Sequence, residues 1–156
     1  MGGSKSWPAL RCLASGELTM RLFIDCEFNE FKGDLISMAI VSEDGREFYE
    51  AVPCDNPGPW VSQHVIPILG KEPIPLGLFQ ARLCRWLAQF EKIHVVADWP
   101  EDIKHFCDAL ITGPGMRLDT PPLTMEVLRI DSESEMPHNA LFDARGIRSA
   151  IMATDQ

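Results

Sequence analysis

The sequence predicts an α/β domain in which a mixed β-sheet is flanked by helices. Apolar runs near the N-terminus have the length and composition of strands, and three later segments carry apolar residues at helical spacing. The predicted order, β-β-β-α-β-α-(β)-α, is typical of an α/β domain. At 156 residues the chain is long enough to bury a core, and we assign residues 20–156 to a single domain.

The first three strands are predicted from apolar runs and one turn. Residues 21–26 (RLFIDC) and 35–41 (LISMAIV) are strongly apolar, and residues 46–52 (REFYEAV) follow the turn sequence EDG at 43–45. An Asp-Gly turn between two strand-like segments predicts a β-hairpin. The fold should therefore begin with three antiparallel strands.

Helices dominate the rest of the chain. Residues 60–69 favour a short helix interrupted by Pro67, in a proline-rich stretch. The clearer predictions are helices at residues 76–90, 100–110 and 139–152 and a buried strand at residues 93–97. The sequence Gly113-Pro114-Gly115 should end the second of these helices.

The N-terminal segment and the cysteines bear on cellular location. Residues 1–19 lack the basic start and the continuous apolar stretch of a signal peptide, so we expect a poorly ordered leader or tag. No apolar run approaches the roughly 20 residues that span a bilayer. The 5 cysteines form no CxxC pair, and their odd number without an export signal favours reduced thiols in the cytoplasm.

The net charge is unusual for a protein that binds nucleic acid. The chain has 14 basic and 23 acidic residues, which give a formal net charge of −9. Proteins that hold nucleic acid by surface charge alone are usually basic, so a nucleic-acid function would need bound divalent cations to neutralise phosphate. An acidic balance is also a common route to solubility, and charge alone leaves both readings open.

Asp25 and Glu27 are the sharpest local signal for chemistry. Residues two apart on a strand point to the same face, so both carboxylates project from an otherwise apolar segment. Two adjacent buried like charges are unfavourable unless a hard cation lies between them, and Mg²⁺ prefers oxygen ligands. The alternative is a strand end whose carboxylates face solvent.

Asp98 and Asp102 lie where the strand at residues 93–97 meets the next helix. The sequence Asp98-Trp99-Pro100-Glu101 has the form of a capping box, which predicts that Asp98 caps the helix. Asp102 lies one turn further on and is not needed for capping, so it is the candidate metal ligand. An acid in the first turn is also favoured by the helix dipole alone.

His138 and Asp143 begin the last predicted helix. The positive end of the helix dipole disfavours the protonated form of a histidine just before a helix N-terminus, and a general base must be neutral. Asp143 lies about one and a half turns further in, at the edge of the apolar face. A surface histidine and a solvated aspartate are the alternative.

In combination these residues resemble the DEDDh 3′→5′ exonucleases. Asp25-x-Glu27 on the first strand, an aspartate at a strand-to-helix junction and His138-x4-Asp143 near the C-terminus follow that family's order. Family members often have Asn four residues before the second-motif aspartate, and Asp98 occupies that position here. Asp102 is the expected ligand, and Asp98 is its alternative.

A closer resemblance is to the small bacterial exoribonucleases specific for polyadenylate, often called RNase AS. It is carried by residues 25–28 (DCEF), 35–37 (LIS), 43–49 (EDGREFY) and 60–69 (WVxxHVxPxL). The resemblance implies an RNase H-like fold, a homodimer and a single-stranded RNA 3′ end as the substrate. It also implies two-metal phosphodiester hydrolysis with two Mg²⁺ or Mn²⁺ ions per active site. Asp25, Glu27, Asp102 and Asp143 would hold the ions, and His138 would accept the proton of the attacking water.

Three residues are candidates for substrate binding. Trp60 and His64 lie four residues apart and share a face if residues 60–69 are helical. Aromatic and imidazole rings commonly stack on the bases of single-stranded RNA, and Phe28, directly after the acidic pair, is a third candidate. The structural alternatives are that Trp60 and Phe28 belong to the core and that His64 caps a turn.

Other functions stay open at this point. A non-catalytic module that binds RNA ends would have lost a ligand or the base, and none is missing here. An acidic interaction protein would carry solvated carboxylates. Preference for RNA over single-stranded DNA or short oligonucleotides rests on the resemblance alone.

Overall fold

The computed structural model describes residues 18–156, which form a five-stranded mixed sheet with helices on both faces, consistent with the predicted RNase H-like α/β fold. The strands are β1 (Thr19–Phe28), β2 (Leu35–Ser42), β3 (Glu47–Ala51), β4 (Lys92–Ala97), β5 (Ile111–Gly113), β6 (Met116–Arg117) and β7 (Leu123–Val127). The helices are α1 (Pro59–His64), α2 (Leu76–Leu87), α3 (Pro100–Leu110) and α4 (Ala140–Thr154), with a short 3₁₀ helix at Ile66–Ile68.

The sheet has the order β3-β2-β1-β4-β7, and β5 and β6 form a separate small hairpin. β1, β2 and β3 pair antiparallel, whereas β4 pairs parallel to β1 and β7 pairs parallel to β4. Parallel neighbours end at the same edge of a sheet. The residues that follow β4 therefore lie beside the end of β1, which is where the acidic pair is found.

β1 is buried on both faces, which explains why its sequence is a continuous apolar run rather than an alternating one. Leu22, Ile24 and Cys26 pack into the large core cluster with residues of α2 and α3. Phe23 packs on the opposite face against Ile147 of α4. Asp25 and Glu27 share the parity of Phe23, so both carboxylates point to the side of the sheet that α4 covers.

The predicted turn between β2 and β3 is confirmed. The Ser42 N–H donates to the Arg46 carbonyl over 2.8 Å, and Gly45 has a φ of 91°. That left-handed conformation is favourable for glycine and strained for residues with a Cβ atom. The turn thus fixes the register in which β3 returns along β2.

Most predicted elements are present, with differences at their ends and in the C-terminal half. The helix predicted for residues 60–69 is split into α1 and the 3₁₀ helix, as Pro67 suggested. α2 ends at Leu87, although Phe90 beyond it is still buried. The strands β5, β6 and β7 were not located from the sequence, because their short segments lack a clear period. None of the helices among residues 18–156 is long and apolar enough to cross a membrane.

The predicted leader can be compared with the structure only at its end. Residues 1–17, including Cys12, lie outside the described residues. Thr19, which the sequence assigned to the leader, begins β1 and is paired with Lys92 of β4. The other cysteines (Cys26, Cys54, Cys84 and Cys107) are free thiols.

Candidate active site

The five residues predicted to carry chemistry line one cleft of about 400 Å³ at the ends of β1 and β4. They come from β1, α3 and the start of α4, and they are Asp25, Glu27, Asp102, His138 and Asp143. Phe28 and Trp60 line the same cleft, whereas His64 does not. Among the described residues that line it there is no lysine or arginine.

Asp25 and Glu27 lie near the end of β1, directly before a shift in its pairing with β2. Asp25 is paired with Ala39 of β2, and the β1–β2 register shifts between Glu27 and Phe28. The extra residue at this shift is Ile36 of β2, which has no partner on β1. The Oδ2 atom of Asp25 is buried and has no hydrogen-bond partner in the described part of the chain. A buried carboxylate oxygen without a partner is unfavourable by several kcal/mol unless something else binds it.

Asp102 lies in the first turn of α3 and is only 2% exposed. Its Oδ1 atom accepts a hydrogen bond from the backbone N–H of Cys26 over 3.0 Å, which ties α3 to β1 between the two acids of the DCE sequence. Its Oδ2 atom is buried without a partner among the described residues. One oxygen of Asp102 thus fixes the side chain, and the other is available to a ligand.

The prediction that Asp98 caps α3 is wrong. Trp99 is the N-cap residue, Pro100 follows at the first helical position, and no side chain makes a capping hydrogen bond. The helix starts one residue later than the capping-box pattern required, because Pro100 fits the first turn and leaves no N–H for Asp98 to accept. Asp98 is half-buried and lies instead with Asp25 and Asp102.

Asn139 positions the start of α4. Its side-chain oxygen caps the helix by accepting hydrogen bonds from the N–H groups of Leu141 and Phe142, and its Nδ2 donates to the Ile68 carbonyl over 2.8 Å. This buried amide connects α4 to the 3₁₀ helix after α1. The sequence analysis did not single out Asn139, although Asn before an apolar helical segment is a recognised capping signal.

His138, one residue before the cap, is exposed and has a φ of 69°. A left-handed conformation at a residue with a Cβ atom costs about 1–2 kcal/mol and is concentrated at functional sites. In this conformation the His138 backbone N–H donates to Oδ2 of Asp143 over 3.1 Å. The local backbone therefore fixes the Asp143 carboxylate while it leaves the imidazole at the rim of the cleft.

The acids form two groups that share one residue. Carboxylate oxygens of Asp25, Glu27 and Asp143 lie within 4.8 Å of one another, and so do those of Asp25, Asp98 and Asp102. Three oxygen atoms at such distances can share a divalent cation, and hard cations such as Mg²⁺ and Mn²⁺ prefer oxygen ligands. Asp25 and Asp102, which each have a buried oxygen without a partner, both belong to these groups. The donor set thus fits two divalent cations with Asp25 between them.

The raised pKa values of the acids in the cleft also favour bound cations. Burial, with added repulsion from Asp102 and Glu27, raises the pKa of Asp25 well above its usual range. Burial and the neighbouring Asp143 carboxyl raise the pKa of Glu27 to about 8. Burial is also the main cause that raises the pKa values of Asp98 and Asp102. These groups are stable in the fold only if protons or cations neutralise them.

The rim of the cleft is aromatic. Trp60 is 46% exposed, so it does not belong to the core; it stacks on His64 at 4.6 Å and meets His138 edge-on at 4.8 Å between ring centroids. His64 Nδ1 lies 2.9 Å from the Trp60 carbonyl oxygen, so His64 supports the turn and touches the cleft only through Trp60. Phe28 is half-buried against the core and against the ring of His105, yet it also lines the cleft.

Two more aromatic residues at the rim were missed by the sequence analysis. Phe31 is 84% exposed and Trp99 is 55% exposed, and both line the cleft. Among residues 18–156, the phenylalanines and tryptophans that are largely exposed are Phe31, Trp60 and Trp99. Phe31 stands in the polar sequence Asn29-Glu30-Phe31-Lys32, where a large apolar side chain has no apolar neighbour. That isolation is the signal that could have found it.

Known proteins are similar to this chain along most of its length. No protein-family model matches the chain. Two curated relatives, both from Mycobacterium tuberculosis (strains H37Rv and CDC 1551), are 30% identical to it over 147 residues, which cover 81% of this chain and 88% of each relative. Both bear the name 3′-5′ exoribonuclease. This chain therefore belongs to the family of 3′-5′ exoribonucleases that these two mycobacterial proteins represent.

Proposed function

We propose that this chain is a metal-dependent 3′→5′ exoribonuclease of the DEDDh type, which hydrolyses the terminal phosphodiester bond at the 3′ end of single-stranded RNA. The observation that carries the proposal is the meeting of two three-carboxylate groups at Asp25, in the cleft whose rim holds His138. The names of the two relatives support the activity and its direction. Polyadenylate, as in the RNase AS enzymes, is the proposed substrate.

The acids have distinct roles in this proposal. Asp25, Glu27 and Asp143 would hold one Mg²⁺ or Mn²⁺ ion, and Asp25 with Asp102 would hold a second. Such ions, when bound, lower the pKa of a water molecule and stabilise the charge that develops on the leaving oxygen. The Cys26 N–H and the His138 N–H each hold one carboxylate oxygen in place, of Asp102 and Asp143 respectively. Fixed oxygens of this kind keep the site preorganised.

His138 would accept the proton of the attacking water on a ring nitrogen. Its ring is exposed at the rim, so it can reach a water that enters with the substrate. The edge of Trp60 limits its movement on one side. Proton transfer by a positioned histidine typically contributes about 10²–10⁴-fold to the rate.

The RNA strand would be bound through its bases more than through its phosphates. The lining residues of the cleft include carboxylates and aromatic rings and no lysine or arginine. Base stacking on an aromatic ring is worth roughly 1–3 kcal/mol per base and requires unpaired, accessible bases. Trp60, Trp99 and Phe31 are exposed where they line the cleft and would provide such stacking, which would favour a single strand over a duplex.

A nuclease assay with matched substrates tests the proposal. Oligo(A), oligo(U) and oligo(dA), each labelled at the 5′ end, are incubated with the purified protein and Mg²⁺ or Mn²⁺, and with EDTA as a control. We expect a ladder of products that shorten from the 3′ end, with oligo(A) degraded fastest and no products in EDTA. Asp25→Ala, purified in parallel, controls for contaminating nucleases.

Two results would contradict parts of this proposal. If neither wild type nor variant shortens any substrate while wild type binds RNA ends, the chain is a non-catalytic binding module. If oligo(dA) is degraded as fast as oligo(A), the substrate is single-stranded nucleic acid in general. The homodimer and the cytoplasmic location stay predictions from the resemblance and the cysteine pattern, and sedimentation of the purified protein tests the first.

A further inference from the structure

We infer that Asp98 is itself a metal ligand, so that Asp25, Asp98 and Asp102 bind the second ion together. The sequence suggested either Asp98 or Asp102 for that position, whereas the structure places carboxylate oxygens of both within 4.8 Å of each other and of Asp25. This inference rests on the proposed function. It adds a fifth carboxylate to the four expected from the resemblance.

Asp98 has no other structural explanation in the described part of the chain. It does not cap α3, because the N-cap residue is Trp99 and makes no side-chain capping bond. The neighbouring charges that interact with its carboxylate belong to Asp25, Asp102 and Asp143, which are all acids. A half-buried carboxylate that faces only carboxylates is unfavourable unless a cation joins them.

The adjacent oxygens provide the independent observation. Asp102 is 2% exposed, and its Oδ2 atom is buried without a partner among residues 18–156. Asp25 Oδ2 is in the same condition. Because Asp102 Oδ1 already accepts the Cys26 N–H, Oδ2 is the Asp102 oxygen left for a ligand in the group that contains Asp98. Two unpartnered buried oxygens beside a third carboxylate form a ligand set with an unfilled position.

The consequence concerns the affinity of the second ion. With Asp98, each ion has three carboxylate ligands, and Asp25 is common to both sets. Affinity for hard cations rises with the number of charged oxygen ligands. The second ion should therefore bind to the free protein, before any RNA phosphate supplies further oxygens.

Titration of the metal-free protein with Mn²⁺ tests this inference without an activity assay. The full chain is freed of metal with EDTA, dialysed, and titrated by isothermal calorimetry as wild type and as Asp98→Asn, Asp98→Glu and Glu30→Gln. Asp98→Asn removes the charge and keeps the shape. Asp98→Glu keeps the charge and moves the oxygens. Glu30 lines the same cleft, is exposed and belongs to neither acidic group, so Glu30→Gln controls for the loss of one nearby charge.

We expect wild type to bind two ions. Asp98→Asn should bind one ion with unchanged affinity and the other about tenfold or more weakly, a loss of about 1.4 kcal/mol in binding free energy. Asp98→Glu should weaken the binding of the same ion, and Glu30→Gln should change both affinities little. Two ions of wild-type affinity in both Asp98 variants would overturn the inference and leave the proposed function intact, as would a single ion in an active wild type. Failure of the proposed function would appear separately, as an inactive wild type in the nuclease assay.

Discussion

Glu27→Gln should remove a pH dependence from the stability of the metal-free protein. In the folded chain the pKa of Glu27 is raised to about 8 by burial and by the Asp143 carboxyl, from a usual value of 4.5. The folded state therefore binds a proton more tightly than the unfolded state does. This contribution to stability is fully present below the lower pKa and is lost as the pH rises through the higher one.

The magnitude follows from the size of the shift. Each pKa unit corresponds to about 1.4 kcal/mol, so Glu27 alone should lower the free energy of unfolding by about 3 kcal/mol between about pH 5 and about pH 8. Glutamine keeps the shape of the protonated acid and cannot ionise, so the variant should lose this part of the slope. Glu72, which is exposed before α2, provides the matched control as Glu72→Gln.

The assay is urea denaturation in EDTA at a series of pH values, for wild type and both variants. Wild type and Glu72→Gln should lose stability together as the pH rises, and Glu27→Gln should lose less of it. Addition of Mg²⁺ should restore wild-type stability at the high end, because the ion replaces the protons. Equal slopes in wild type and Glu27→Gln, or a wild type that gains stability with pH in EDTA, would refute the reasoning.

Three further variants test individual residues of the site. His138→Ala should lower kcat by about 10²–10⁴-fold and leave Mn²⁺ affinity unchanged; an equal loss of metal binding would assign His138 a structural role. Asp102→Asn can still accept the Cys26 N–H bond, so it should fold normally yet lose at least about a hundredfold in rate, since misplaced reacting groups cost that much; near-normal turnover would remove Asp102 from the ligands. His64→Ala should raise the KM for short oligo(A) several-fold, which corresponds to a loss of about 1 kcal/mol, and should narrow the rate difference between oligo(A) and oligo(U), because His64 supports the Trp60 ring. It should barely change the unfolding midpoint, because His64 is exposed. If His64→Ala degrades both substrates like wild type, residues 60–69 are scaffold.

The sequence alone determined what depends on short-range periodicity. The spacing of two on a strand placed Asp25 and Glu27 on one face, and the structure has both in the cleft. The position of His138 before a helix N-terminus was likewise readable, since Asn139 caps α4. Apolar runs and helical spacing located most of β1 to β4 and α2 to α4, because burial imposes those periods wherever the element lies in the fold.

Only the tertiary structure decided which distant residues meet. β1 and β4 are separated in the chain by residues 29–91. Local periodicity cannot predict their parallel pairing, which brings Asp98 beside Asp25. The sequence around Asp98 predicted that this residue caps α3. In the structure Pro100 is the first residue of the helix and Trp99 is the N-cap, so Asp98 does not cap the helix and lies in the acidic group instead. The place of Phe31 and Trp99 at the rim of the cleft could not be predicted either, because it depends on how their loops lie in the folded chain. The residue types and their order predicted the kind of site, whereas the roles of individual residues depended on the packing of strands and helices that are far apart in the chain.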